Sequence, residues 1–320
     1  MKATCSARLI PMKFVRLALL LILGGLPSYG SGGYGSGGYD SAHFGAGLEN
    51  SQWYLTSSIF SCSLTHEIPN FGRGVFVRDA GEPVRFYLDA PHMRMRAGQA
   101  ALVIEAPAWR PGAPVEDLGY VASREESRPV AVDTRRASVM MNTLLRGMAP
   151  TFTRQARYGD ETVKVRLSPI NFVRAYNEYL DCVAGLLPVN FQQVERSVLL
   201  FEANDTYLTD AARKRLEQVI LYVKADPSVN SLVIDGHSDS FGHRLTNREL
   251  SKERAERVAQ YLRDAGISED MITVRYHGER YPVLDNKTEA NRARNRRATL
   301  RLERRSPSQM AAMEQQRSAS

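Results

Sequence analysis

Cysteine is scarce, with three residues in 320, and that scarcity excludes a small scaffold stapled by disulfides. A composition of 43% hydrophobic and 24% charged residues equally excludes a collagen-like or wholly disordered chain. No apolar run reaches the ~20 residues of a membrane span; the best, Leu17–Leu23, is far shorter. Residues 48–189 also lack the repeated alternation, about ten residues long, of an outer-membrane barrel. Acidic side chains are absent from the first 30 residues, which carry Lys2, Arg8, Lys13 and Arg16. The formal charge of +7 therefore reduces to 38 basic against 35 acidic side chains in the remainder. Residues 190–305 hold 21 basic and 18 acidic side chains, a balance that gives a nucleic-acid partner no electrostatic support.

What the amino terminus does contain is the layout of an export signal. Lys13 and Arg16 precede the apolar run, Gly24, Gly25 and Pro27 close it, and Ser28 and Gly30 suit a cleavage after Gly30. Residues 1–30 are thus read as a signal peptide, starting at Met1 or at Met12. Cys5 is lost with it. The pair left behind, Cys62 and Cys182, could be two buried thiols or one bond, and an oxidising compartment favours the bond. Such a bond would stabilise the fold by about 4 kcal/mol.

Residues 31–47 are rich in Gly and Ser, with the repeat Gly-Ser-Gly-Gly-Tyr, and read as a flexible leader. From 48 to 189 short β-favouring runs dominate, among them Val75–Val77, Val84–Leu88, Ala101–Ile104 and Thr162–Leu167. Two helical patches, Ala137–Met148 and Ile170–Leu187, interrupt them, and Pro188 marks a junction. From 190 to 305 strands and helices alternate. Thr209 can cap a helix with the stripe Ala212, Leu216, Val219, Ile220 and Val223, and Thr246–Glu249 reads as the capping box of a second helix. The expected class is α+β: a β-rich first domain with two or more helices, then a compact α/β sandwich, then a disordered tail over 306–320.

The densest polar cluster is Gly236-His237-Ser238-Asp239-Ser240-Phe241-Gly242. His237, Asp239 and His243 could ligate a metal, but nothing else completes a set. Ser238 and Ser240 lack the Gly-x-Ser-x-Gly elbow, so neither an enzyme nor a cofactor is expected. A plain turn remains open. Downstream, Leu250, Arg254, Val258 and Leu262 recur every fourth residue, which turns Arg254 inward among apolar neighbours. A buried guanidinium must be paired, and Asp239 is the nearest candidate. With Asn247 on the same face, the three side chains suit a ligand carrying both an amine and a carboxylate. The competing reading is an Asp–Arg bridge that only closes the fold.

Gly236–Asp239, Asn247, Leu250-Ser251, Arg254-Ala255, Gly266-Ile267, Gly278-Glu279, Pro282, Asn286, Thr288, Arg292 and Asn295–Arg297 together resemble the OmpA-like peptidoglycan-binding domain. Ser238 and Asn291 depart from that pattern, where Thr and Gly are usual. The resemblance implies that Asp239 and Arg254 hold the diaminopimelate of a stem peptide, with Asn247, Phe241, Gly242, Ser251 and Arg297 completing the site. Further upstream, Ser51–Trp53, Cys62, His66–Gly72, Pro107–Gly112 and Phe172–Cys182 resemble the first domain of the MotY family of sodium-type flagellar proteins. That resemblance implies a Cys62–Cys182 disulfide and a periplasmic ring component (the T ring) at the flagellar basal body. Its first domain would dock on the basal body and partner proteins, near His66–Gly72 and the Trp109 loop, with Trp109 itself read as a buried core anchor, and support stator assembly. Its second domain would grip the wall. The alternative is a general wall anchor of the OmpA-like group with no motor role.

Overall fold

The computed structural model describes residues 41–107, 110, 112, 114–306, 308, 309 and 315. The expected signal peptide, most of the leader, Trp109 and most of the tail lie outside these residues. The chain runs β1 (Ser41–Gly45), β2 (Trp53–Ser57), β3 (Ser61–Ile68), β4 (Gly72–Asp79), β5 (Arg85–Asp89), β6 (Gly98–Glu105), β7 (Glu116–Ser123) and β8 (Ala131–Val132). There follow α1 (Thr134–Leu145), β9 (Ala149–Gln155), β10 (Thr162–Arg166), α2 (Phe172–Ala184) and α3 (Phe191–Val194). The second half contains β11 (Arg196–Leu200), α4 (Asp210–Ala225), β12 (Val229–His237), α5 (Arg244–Asp264), β13 (Ile272–Tyr276), α6 (Glu289–Asn295) and β14 (Arg297–Arg304).

Two sheets build the first domain. One is antiparallel, in the order β2-β3-β4-β5-β8; the other runs β1-β10-β9-β6-β7. Alternation along β3 sends Cys62, Leu64, His66 and Ile68 inward. Phe86 of β5 stacks on Phe152 of β9 at 5.6 Å, joining the sheets through one core. The leader ends earlier than its composition suggested. Residues 41–45 form β1, parallel to β10, because Phe44 packs against Phe71 at 5.5 Å and beneath the Arg94 guanidinium. One aromatic residue in a Gly- and Ser-rich stretch suffices to anchor it.

Cys62 and Cys182 are bonded, with Cα atoms 6.1 Å apart, tying the start of β3 to the last turn of α2. The motif His66–Gly72 is anchored in the core by three of its residues, while Glu67 and Asn70 are exposed. His66, Ile68 and Phe71 are buried, and Trp53 stacks on the His66 ring at 4.6 Å.

A second core fills the other half. Its sheet runs β11-β14-β12-β13, with β12 and β13 parallel and the other pairs antiparallel. Leu199, Leu232, Ile234, Leu300 and Leu302 meet the stripes of α4 (Leu216, Val219, Val223) and α5 (Ala255, Val258, Leu262). Thr209 caps α4 as expected, its hydroxyl accepting from Ala212 N–H at 3.2 Å. The Thr246 capping box does not form, since α5 starts earlier, at Arg244. Gly236 explains the closeness of α5 to β12: a Cβ there would lie 1.9 Å from the Ser251 carbonyl oxygen.

The two cores meet along a seam. Phe60 reaches from the first domain to Tyr222 of α4 at 5.8 Å, and Phe191 meets the same ring at 6.0 Å. Leu187 N–H donates to the Ile59 carbonyl, while Asn190 and Gln193 donate to Glu82. A cleft of about 740 Å³ opens beside this seam, well away from Asp239.

Candidate functional site

Strand β12 ends at His237, and the chain turns through Ser238 to His243 before entering α5. Asp239 shapes that turn: its Oδ1 accepts from Phe241 N–H at 3.1 Å. Gly242 sits at φ +94°, a conformation few other residues adopt. Phe241 is thereby left 75% exposed at the rim.

Asp239 and Arg254 do not form the bridge of the competing reading; each has other partners. Asp239 Oδ2 accepts from Arg296 Nη1 at 3.0 Å, and Arg296 also pairs with Glu289 at 2.8 Å. Burial works against the Arg296 charge, but its bonds to Asp239 and Glu289 prevail and raise its pKa. Arg254 is fully buried rather than partly solvated. Its Nε, Nη1 and Nη2 donate to the carbonyls of Asp205 (2.9 Å), His237 (3.2 Å) and Glu202 (3.0 Å), and its guanidinium lies over the Phe201 ring. Burial draws its pKa down to about 10, opposed by the Asp239 charge and assisted by that of Arg296. It remains a cation at neutral pH. Three of its five N–H groups are engaged, one on each nitrogen, which leaves one further N–H on each terminal nitrogen.

The sequence pattern placed Arg254 correctly but could not supply its partners. The loop carbonyls carry no side-chain signature, and Arg296 is 57 residues from Asp239. Arg296 closes α6 as its C-cap, next to Asn295, and that capping position was the available clue. Asn295 is buried and fixes the loop after β13 through bonds to Val283, Leu284 and Asn286; Asn286 in turn accepts from Ser240 N–H at 3.2 Å.

The remaining expected residues serve as supports. Asn247 is buried and donates to Glu279 at 2.7 Å. Ser251 bridges the Arg248 carbonyl and the Gly278 N–H. Arg297 is buried, its pKa lowered by burial, and it donates to the carbonyls of Asn295 and Tyr281. Phe241 and Gly242 lie at the rim but make no side-chain bond there. Among the described residues no three His, Cys, Asp or Glu side chains gather as a metal-binding group.

This geometry sets an expectation for Arg254 that differs from one for a simple ion pair. Arg254→Met would leave three loop carbonyls unmatched around an apolar side chain, a loss of about 3 kcal/mol. Urea melting of the variant checks it; a midpoint equal to that of the unmodified chain would show that the carbonyls do not depend on the guanidinium.

Comparison with known proteins locates both halves. Residues 44–188 match the MotY N-terminal domain, and residues 200–296 match the OmpA family. The chain is 30% identical over 259 residues to the sodium-type flagellar protein MotY of Vibrio parahaemolyticus, covering 79% of this chain and 88% of that protein. The outer-membrane lipoprotein YfiB of Pseudomonas aeruginosa is 36% identical over 104 residues, covering 32% of this chain and 61% of that one. Among solved structures, the peptidoglycan-associated lipoprotein of Burkholderia pseudomallei is 28% identical, with a TM-score of 0.32, covering 33% of this chain and 89% of that chain.

Proposed function

Because the chain belongs to the MotY family of sodium-type flagellar proteins, we propose that it is a periplasmic component of the flagellar motor that anchors to peptidoglycan. The second domain binds the wall; the first docks on the basal body and supports stator assembly as part of the T ring. Neither catalysis nor a cofactor is part of this reading. One observation carries the wall-binding half: a carboxylate, Asp239, held in the turn after β12 close enough to the buried Arg254 for its charge to act on that guanidinium. An ammonium group would meet the carboxylate. The adjoining carboxylate of the same zwitterion would take the two free N–H groups of Arg254, once the loop at Glu202–Asp205 gives way. Diaminopimelate in a stem peptide offers both groups on one carbon.

Asp239→Ala tests this. The variant should melt close to the unmodified protein, because Arg296 keeps Glu289 as a partner. Its sedimentation with purified peptidoglycan should fall tenfold or more, roughly the weight of one charge-assisted bond. Undiminished sedimentation would remove the assignment. A wall anchor without a motor role also fits the OmpA match, and deletion separates the two readings. Lost swimming in soft agar with an intact envelope indicates the motor; a leaky envelope with normal swimming indicates the general anchor.

A further inference from the structure

Beside the Asp239 turn lies a second cavity, of about 590 Å³, walled by Arg244, Leu245 and Arg248 of α5 and by Tyr276–Arg280 after β13. The two sites share a wall, because Ser238 N–H donates to the Gly278 carbonyl at 2.9 Å. Gly278 packs against the helix so tightly that a Cβ would meet Arg248 Cα at 3.3 Å. This contact, with the Gly278 N–H held by Ser251, aims the following residues along α5.

Three guanidiniums, those of Arg244, Arg248 and Arg280, line this cavity. Among the described residues none of the three forms an ion pair, whereas Arg213, Arg263, Arg275 and Arg292 of the same domain each pair with an acid. Arg248 rests over the Tyr276 ring at 5.3 Å, which fixes its stem without neutralising its charge. The one carboxylate in the wall, Glu279, is engaged by Asn247. Like charges kept together without partners imply an anionic ligand that supplies them.

We propose that this cavity is a second wall-binding subsite, which takes a carboxylate of a peptidoglycan stem other than the diaminopimelate end held at Asp239. The inference rests on the wall-binding reading above. A polymer engaged at two adjacent points gains affinity through local concentration, and the second contact is the salt-sensitive one because its arginines are exposed.

The test uses the full chain with Arg244, Arg248 and Arg280 all changed to Gln, beside Asp239→Ala. The probes are purified sacculi, at low and physiological salt, and free meso-diaminopimelate. The triple variant should bind sacculi about tenfold more weakly at low salt, with a flatter salt dependence. It should bind free diaminopimelate unchanged, and a triple Lys variant should recover most of the affinity for sacculi. Unaltered binding of sacculi and unaltered salt dependence in the Gln variant overturn the subsite; loss by Asp239→Ala in the same assay leaves the wall reading intact. Loss of diaminopimelate binding by the Gln variant also overturns it, since the arginines would then belong to the first cleft. Failure of the unmodified chain to sediment with sacculi overturns both readings.

Discussion

Lowering the pH from 6.5 to 4 is expected to cost the protein about 3 kcal/mol at each of two buried histidines. Burial holds His66 down to about 4, with its bond to the Gln52 carbonyl opposing. His237 is also held at about 4, by burial first and then by the charge of Arg297. Both pKa values are depressed on folding from an ordinary 6.5, so the folded chain binds fewer protons than the unfolded chain across this window. The stability they contribute is complete above 6.5 and is lost as pH falls through 4. Geometry agrees at His66. Its Nδ1 faces the Gln52 carbonyl and its Nε2 accepts from Ser168 N–H at 3.2 Å, an assignment of the neutral ring read from the bonding network. A proton on Nε2 would turn that acceptor into a second donor aimed at a donor. Melting temperature followed against pH should fall steeply in this window, and His66→Gln should remove part of the slope. A flat profile down to pH 4.5 would contradict the argument.

Removing the disulfide is the second large effect. The bond closes a loop of 120 residues, and the chain-entropy model gives about 4–5 kcal/mol for that length. Cys62→Ala with Cys182→Ala should therefore lose about a third or more of the stability of a domain whose total is of order 5–15 kcal/mol. Denaturant titration, with and without reductant on the unmodified chain, measures it. Equal midpoints with and without reductant would show that the bond adds nothing.

The second domain was the more legible half, for physical reasons. In α4 the capping Thr209 and the stripe Ala212, Leu216, Val219 and Val223 are local features, and local features suffice to define a helix. The start of α5 was misplaced because the turn made by Asp239 and Gly242 delivers the chain into the helix at Arg244. Asn247 must then point inward to reach Glu279, a partner 32 residues on. Which groups Arg254 bonds was hidden for a similar reason. Sequence shows that an inward arginine needs acceptors, but backbone carbonyls of a loop are invisible to pattern. In the first domain the motif His66–Gly72 carries its own packing signal, since His66 and Phe71 pack with Trp53 and Phe44 while Glu67 and Asn70 stay exposed.

The seam between the cores has a mechanical meaning. Between Leu187, bonded to Ile59, and Asn190, bonded to Glu82, only Pro188 and Val189 intervene, so the connection between the halves is short and tied at both ends. The aromatic contact of Phe60 and Phe191 with Tyr222 resists sliding, while Arg304 spans from the Phe191 ring to Asp226. A sideways pull applied to the second domain is thus delivered to β3 and its disulfide-linked helix as a rotation of the whole body. With contacts on both sides of so short a connection, bending at the joint would have to break the Phe60 and Phe191 packing on Tyr222 and the Asn190 bond to Glu82 together.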